Sequence, residues 1–174
     1  MKRIEKLIAA FAIVSVLFIS CNSNDDTHCE PDFTGSLSQT EQVLVGKWVL
    51  TAIVSDKEVD ITEDDTDNPS TNLYSQSTDC EKDIFYTFNE NRIMKFVIGS
   101  TAENCSNKNE TSSSWEFKNG TLSFVQSCLI FESKIGLATD NLSFSSENSN
   151  VTIKDVDNNV ISAKLTYTYT KETN

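Results

Sequence analysis

The chain has 174 residues, of which 38% are hydrophobic and 23% charged, and its formal net charge at pH 7 is −12. That length allows one domain with a substantial core. A surface this acidic repels nucleic acid, so we expect no nucleic-acid partner.

The first twenty residues have the organisation of an export signal. Lys2, Arg3 and Lys6 precede a mostly apolar run over residues 7–19. The run has the length of a signal-peptide core and is too short to span a bilayer comfortably. Leu17-Phe18-Ile19-Ser20-Cys21 resembles the lipobox of bacterial lipoproteins, with Phe18 where Leu is usual.

This resemblance implies that residues 1–20 are removed and that Cys21 carries the lipid. It also implies an outer-membrane location, on the periplasmic face or at the cell surface, because Asp25 and Asp26 resemble the acidic export signals of surface lipoproteins. Removal takes away three positive charges and one negative charge, which changes the net charge from −12 to −14. The alternative is an ordinary secretory signal, which would leave Cys21 a free thiol.

Four cysteines remain if Cys21 is lipidated, and four can pair in three ways. They lack CxxC spacing, and the single histidine is His28, so we expect no metal and no other cofactor. Disulfides suit an exported protein. We predict a Cys80–Cys105 disulfide, because these two cysteines flank a predicted strand pair. The remaining two cysteines would then form Cys29–Cys128. The alternative is that Cys29 or Cys128 stays reduced.

Residues 21–38 are polar and contain Pro31 and Gly35, which predicts a lipidated N-terminus and flexible tether before a domain over residues 39–174. Ser38 and Glu41 have the spacing of a helix capping box. The run from Leu44 to Val54 is rich in strand formers. Regular alternation would place four of its side chains on one face: Trp48, Leu50, Ala52 and Val54.

Residues 56–79 are acidic and polar, which predicts one long solvated loop with a short strand at residues 58–61. Calcium binding by this loop is an alternative, but the turn glycine of an EF-hand and its D-x-D-x-D spacing are absent.

From Asp83 onward, apolar and polar residues alternate with the period of two that is typical of half-buried strands. Arg92 and Lys95 are expected outward or at the rim. Asn119-Gly120 predicts a type I′ hairpin, while residues 128–146 give a weaker pattern. The predicted inward positions are Ile84, Tyr86, Phe88, Met94, Phe96, Ile98, Trp115, Phe117, Leu122, Phe124, Val151, Ile153, Ile161, Ala163, Leu165, Tyr167 and Tyr169.

About eight such strands joined by short hairpins hide their edges best by closing into a single up-and-down antiparallel β-barrel. Gly46-Lys47-Trp48, just after a helical turn, resembles the Gly-x-Trp signature of lipocalins. Residues 40–171 resemble the lipocalin-like domains of bacterial lipoproteins, with Cys80 before an aromatic strand and Ser112-Ser113-Ser114-Trp115 leading into another. The resemblance implies an all-β, lipocalin-like fold.

Catalysis is not expected, because the folded region has no histidine to serve a Ser or Cys nucleophile and no recognisable carboxylate motif. The leading hypothesis is a membrane-anchored binding module for a small apolar or amphipathic ligand. The same aromatic side chains could instead simply fill the barrel. The candidate cavity residues are Phe88, Phe96, Trp115, Phe117, Phe124 and Tyr167.

The alternative function is a non-catalytic structural or interaction protein with a packed barrel. Its candidate contact is the acidic segment over residues 56–67, and its partner would be a surface or periplasmic protein.

Overall fold

The computed structural model describes residues 29–173. Cys21, the predicted signal over residues 1–20 and the first part of the predicted tether lie outside this range. No helix within residues 29–173 is both long and apolar enough to cross a membrane. The elements are α1 (Gln39–Gln42), β1 (Gly46–Val59), β2 (Ser70–Asn72), α2 (Leu73–Gln76), α3 (Asp79–Lys82), β3 (Ile84–Phe88), β4 (Ile93–Ile98), β5 (Asn109–Lys118), β6 (Thr121–Gln126), β7 (Leu129–Leu137), β8 (Ser143–Lys154) and β9 (Val160–Lys171).

Eight antiparallel strands form a closed up-and-down barrel, which confirms the predicted fold class. Around the barrel the order is β1, β3, β4, β5, β6, β7, β8 and β9, and β9 pairs back onto β1. The closing ladder runs from Trp48↔Lys171 to Ser55↔Leu165. The short β2 pairs with the C-terminal part of β1, from Val54↔Asn72 to Val59↔Ser70. Closure supplies a partner for strand edges that would otherwise be exposed.

Because successive strands run in opposite directions, their connections alternate between the two ends of the barrel. At the end that we call the closed end lie α1, the start of β1 and the turn at Asn119-Gly120. Both turn residues have positive φ, 52° and 74°, as the predicted type I′ geometry requires. At the other end, which we call the open end, lie the end of β1, the β6–β7 turn and the β8–β9 turn.

The positions of β1 that point into the barrel shift by one residue in the middle of the strand. Its register against β9 shifts between Leu50 and Ala52, as at a β-bulge. The extra residue moves Ile53 to the interior, where it is 8% exposed, and leaves Val54 44% exposed. The prediction that Ala52 and Val54 continue the face of Trp48 is therefore wrong beyond Leu50.

The segment predicted as one loop contains regular structure. β1 continues to Val59, so the loop itself spans residues 60–69. β2, α2 and α3 then follow. Helix α3 begins with a capping box, in which Thr78 and Glu81 each bond the other's backbone amide. Such local bonds explain why a polar stretch without an apolar pattern still folds into helical turns.

Aromatic packing fills the closed end. Trp48 and Trp115 are fully buried, and Phe88 is 1% exposed. The Phe88 and Trp115 ring centroids lie 5.0 Å apart, and those of Trp48 and Phe144 lie 5.1 Å apart. Both indole N–H groups donate to backbone carbonyl oxygens, of Leu44 for Trp48 and of Asn89 for Trp115. These hydrogen bonds pair the indole N–H groups, which would otherwise be buried without an acceptor.

Candidate functional site

A buried ion pair between Glu41 and Arg92 closes one end of the barrel. Arg92 Nη1 lies 2.7 Å from Glu41 Oε1, and Arg92 Nη2 lies 3.1 Å from Glu41 Oε2. The backbone amides of Ser38 and Phe117 donate to the same carboxylate. Burial raises the pKa of Glu41, but the hydrogen bonds from Arg92, Ser38 and Phe117 outweigh it and lower the pKa to about 2.

The remaining donors of Arg92 tie the chain before α1 to the barrel. Its guanidinium donates to the carbonyl oxygens of Gly35, Ser36 and Trp115. Arg92 is only 6% exposed, so the expectation that it points outward is wrong. Its backbone is left-handed, with φ at 64°, in the turn between β3 and β4. The satisfied ion pair and the packed indoles make this end a plug rather than an entrance.

The N-terminal strap, residues 29–37 of the predicted tether, lies against the outside of the barrel. The strap begins at the open end, where Cys29 is disulfide-bonded to Cys128 in the β6–β7 turn. The Glu30 amide donates to the Cys128 carbonyl oxygen, and the Phe33 amide donates to Ser114 Oγ on β5. The strap thus runs along the full length of the wall before α1.

The second disulfide joins Cys80 in α3 to Cys105 in the loop before β5. Both disulfides are therefore the pairs that the sequence predicts. The Cys80–Cys105 link flanks a shallow depression lined by residues that include Leu50, Tyr74, Lys82 and Asp83. The Asp83 carboxylate accepts hydrogen bonds from the Thr101 amide and hydroxyl. These contacts fix the loop between β4 and β5 against the start of β3.

The structure divides the six predicted cavity residues into four buried residues and two half-buried ones. Phe88, Trp115 and Phe117 are at most 8% exposed and belong to the packed core. Phe96 and Phe124 are only partly buried and pack at the edge of that core. Tyr167 is buried, 6% exposed, on β9. Of the six, only Phe96 and Phe124 keep partial exposure to solvent.

The interior face of β7 becomes steadily more exposed toward the open end. Trp115 pairs with Phe124, and Phe124 pairs with Phe131, so all three share the inner face. Along that face of β7 the exposed fraction rises from 7% at Ile135 to 40% at Phe131 and 60% at Leu129. The inner face of β7 is therefore accessible to solvent at this end.

The barrel wall is also split between β7 and β8. In the described part of the chain, their pairing is confined to three residue pairs, from Ile135↔Ser146 to Leu137↔Phe144. Nearer the open end, residues 129–134 of β7 pair with β6, and residues 147–154 of β8 pair with β9. Beyond Ile135↔Ser146 the described residues of the two strands share no ladder, and we call this unpaired stretch of the wall at the open end the mouth. It adjoins Phe131, whose ring stacks on Phe124 at 5.3 Å.

Three tyrosines contribute hydroxyl groups to the interior. The Tyr86 ring lies 5.0 Å from that of Tyr169 and 4.8 Å from that of Phe96. Burial raises the pKa of Tyr86 and of Tyr167 to about 12, and it raises the pKa of Tyr169 well above its usual value of 10. The hydroxyls therefore stay protonated at neutral pH and offer hydrogen bonds without charge.

The acidic loop, residues 60–69, is organised around its own carboxylates. Asp60 is 6% exposed and accepts hydrogen bonds from the amides of Thr62 and Asn68. Asp64 accepts from the Thr66 amide and the Asn68 side chain. Among residues 29–173, no group of three or more His, Cys, Asp or Glu residues is placed to hold a metal ion.

Sequence reasoning missed Leu129 and Phe131 as site residues. Leu129, Ile130 and Phe131 are consecutive apolar residues, so the run has no alternation that would distinguish an inner from an outer face. Counting back in steps of two from Ile135 would have assigned Phe131 and Leu129 to the inner face. Nothing in the sequence indicates the split between β7 and β8, which depends on register.

The fold and the site are those of a single small barrel with one end packed around a buried ion pair and, at the other end, an interrupted β7–β8 ladder beside exposed apolar side chains. The chain belongs to the family of the domain of unknown function DUF5004, whose model matches residues 22–172. No curated protein matches the chain.

Proposed function

We propose that this protein is a non-catalytic, lipid-anchored binding module of the outer membrane whose mouth takes a small apolar or amphipathic ligand. The observation that carries the proposal is the inner face of β7, where Phe131 and Leu129 are exposed although they point into the barrel. Binding sites for small ligands are concave and mostly apolar, with a few polar groups that orient the ligand. The mouth has this composition.

Two features support an anchor on Cys21. The chain before it has a positive start, an apolar run and a lipobox-like end. The family match begins at residue 22, directly after this cysteine. Two disulfides among the remaining cysteines agree with export to an oxidising compartment.

The polar groups near the mouth favour an uncharged ligand head group. The polar side chains on the inner faces of β7 and β8 are Ser133, Ser146 and Asn148, and none of them is charged. Moving a carboxylate into such a site without a cationic partner is costly. An alcohol can instead exchange hydrogen bonds with hydroxyl and amide groups. We therefore expect a fatty alcohol to bind more tightly than the fatty acid of equal length.

The test is displacement of the neutral fluorescent probe N-phenyl-1-naphthylamine from the soluble chain that begins at Asn22. Dodecanol should displace the probe at lower concentration than dodecanoate. Phe131→Glu should weaken probe binding roughly tenfold or more, because it places a charge in the mouth. Ile130→Glu is the matched control, because the neighbouring side chain points to the outer face; it should bind as the wild type does.

Native mass spectrometry of the protein purified from its own host should show a bound small molecule. No bound species, together with no probe displacement by either dodecyl compound, would rule out a carrier. The packed barrel would then favour the interaction role, with the exposed carboxylates of the acidic loop as the contact.

A further inference from the structure

The open end carries most of the large exposed hydrophobic side chains of the described residues. Eight large hydrophobic side chains are exposed in residues 29–173, and five of them belong to this end. We call these five the apolar rim: Leu129 (60% exposed), Ile130 (46%), Phe131 (40%), Val156 (42%) and Val160 (66%). Apolar surface gathered in this way marks a contact site more often than scattered residues do.

The N-terminal strap is fixed beside this rim. Cys29 is covalently fixed to Cys128, and Cys128 immediately precedes Leu129. Cys21 lies eight positions before Cys29, so a lipid on Cys21 can be at most about 28 Å from the β6–β7 turn.

The closed end is much farther from this anchor point. Twelve-residue strands such as β9, tilted as barrel strands are, extend roughly 30 Å along the barrel axis. A bilayer at the closed end would therefore require the eight-residue connection to be almost fully extended along the wall. A bilayer at the open end requires no extension.

We propose that the apolar rim rests on the surface of a zwitterionic phospholipid bilayer, with the mouth facing the lipid. This inference rests on the proposed lipid anchor at Cys21. The exposed acidic loop follows the open end of β1 and carries Glu63, Asp64, Asp65 and Asp67. These negative charges repel anionic lipid head groups, so the proposal specifies a zwitterionic bilayer. A ligand then passes between bilayer and mouth without crossing water.

The test uses the full lipidated chain in phosphatidylcholine vesicles, with bromine-labelled phosphatidylcholine as a short-range quencher of tryptophan fluorescence. Ile130→Trp places a probe on the rim, and Leu142→Trp places one at the closed end. The two positions are matched, since they are 46% and 45% exposed. The native Trp48 and Trp115 are fully buried and give the baseline.

Emission from the tryptophan at position 130 should fall by roughly half in brominated vesicles, because rim side chains enter the head-group region. Emission from position 142 should stay unchanged. Equal quenching at the two positions, or stronger quenching at position 142, would overturn the proposed orientation.

Vesicle flotation and intact mass separate the two proposals. If the chain purified from its own host carries no lipid on Cys21 by intact mass and does not float with the vesicles, the anchor is overturned and, with it, this orientation. A lipidated chain that floats but leaves position 130 unquenched would overturn the orientation alone.

Discussion

At the scale of single residues, local bonds were predictable and distant ones were not. Ser38 and Glu41 are three positions apart, and the capping box they form follows from that spacing. The second role of Glu41, as partner of Arg92, joins residues 51 positions apart. Nothing in the pattern around Arg92 indicates burial, because an Arg in a turn is usually solvated. Only the closed barrel brings the two side chains together.

The buried ion pair predicts a specific pH dependence of stability. Glu41→Gln leaves the Arg92 charge buried without its partner and should cost about 3 kcal/mol of unfolding free energy at pH 7. The folded pKa of Glu41 is about 2 and the reference value is 4.5, so the unfolded state binds the proton first as pH falls. The wild type therefore loses this stability between about pH 5 and pH 2, and its advantage over the variant narrows.

Urea unfolding of both proteins across this pH range measures the effect. Glu110→Gln is the control, because it removes an exposed pair with Lys95 and should cost less than about 1 kcal/mol. An advantage of wild type over Glu41→Gln that is equally large at pH 7 and pH 2.5 would contradict the account.

At the scale of elements, prediction succeeded where turn chemistry and alternation agreed. Asn119-Gly120 favours positive φ at both positions, so its hairpin was predictable. Ser127 and Cys128 also have positive φ, 52° and 67°, in the turn between β6 and β7. Neither residue type favours that conformation, and this turn is also held by a disulfide to Cys29. The turn was therefore not predictable from the residues that form it.

The bulge in β1 is tested by two neighbouring substitutions. Ile53→Ala should cost about 2–4 kcal/mol, because it removes buried side-chain volume from the interior. Val54→Ala should cost less than about 1 kcal/mol, because that side chain is 44% exposed. Chemical denaturation of the two variants gives the comparison. A larger cost at Val54 would mean that β1 continues without a bulge and that the predicted face of Trp48 extends to it.

At the scale of the whole molecule, composition and strand count predicted a closed barrel, because eight amphipathic strands have few other ways to cover their edges. They could not show that the two ends differ. The difference arises from tertiary contacts: the Glu41–Arg92 pair plugs one end, and the β7–β8 ladder is interrupted at the other. The strap and the Cys29–Cys128 disulfide connect the two ends along the wall.

The central claim is that ligand binds at the mouth and leaves the closed end unchanged. NMR of the soluble chain during a dodecanol titration tests it most directly, because the indole N–H signals of Trp48 and Trp115 report on the closed end. We predict saturable shifts at Leu129, Phe131 and Phe124, with both indole signals unmoved. Shifts of the indole signals without shifts at Phe131, or no saturable shifts at all, would contradict the account.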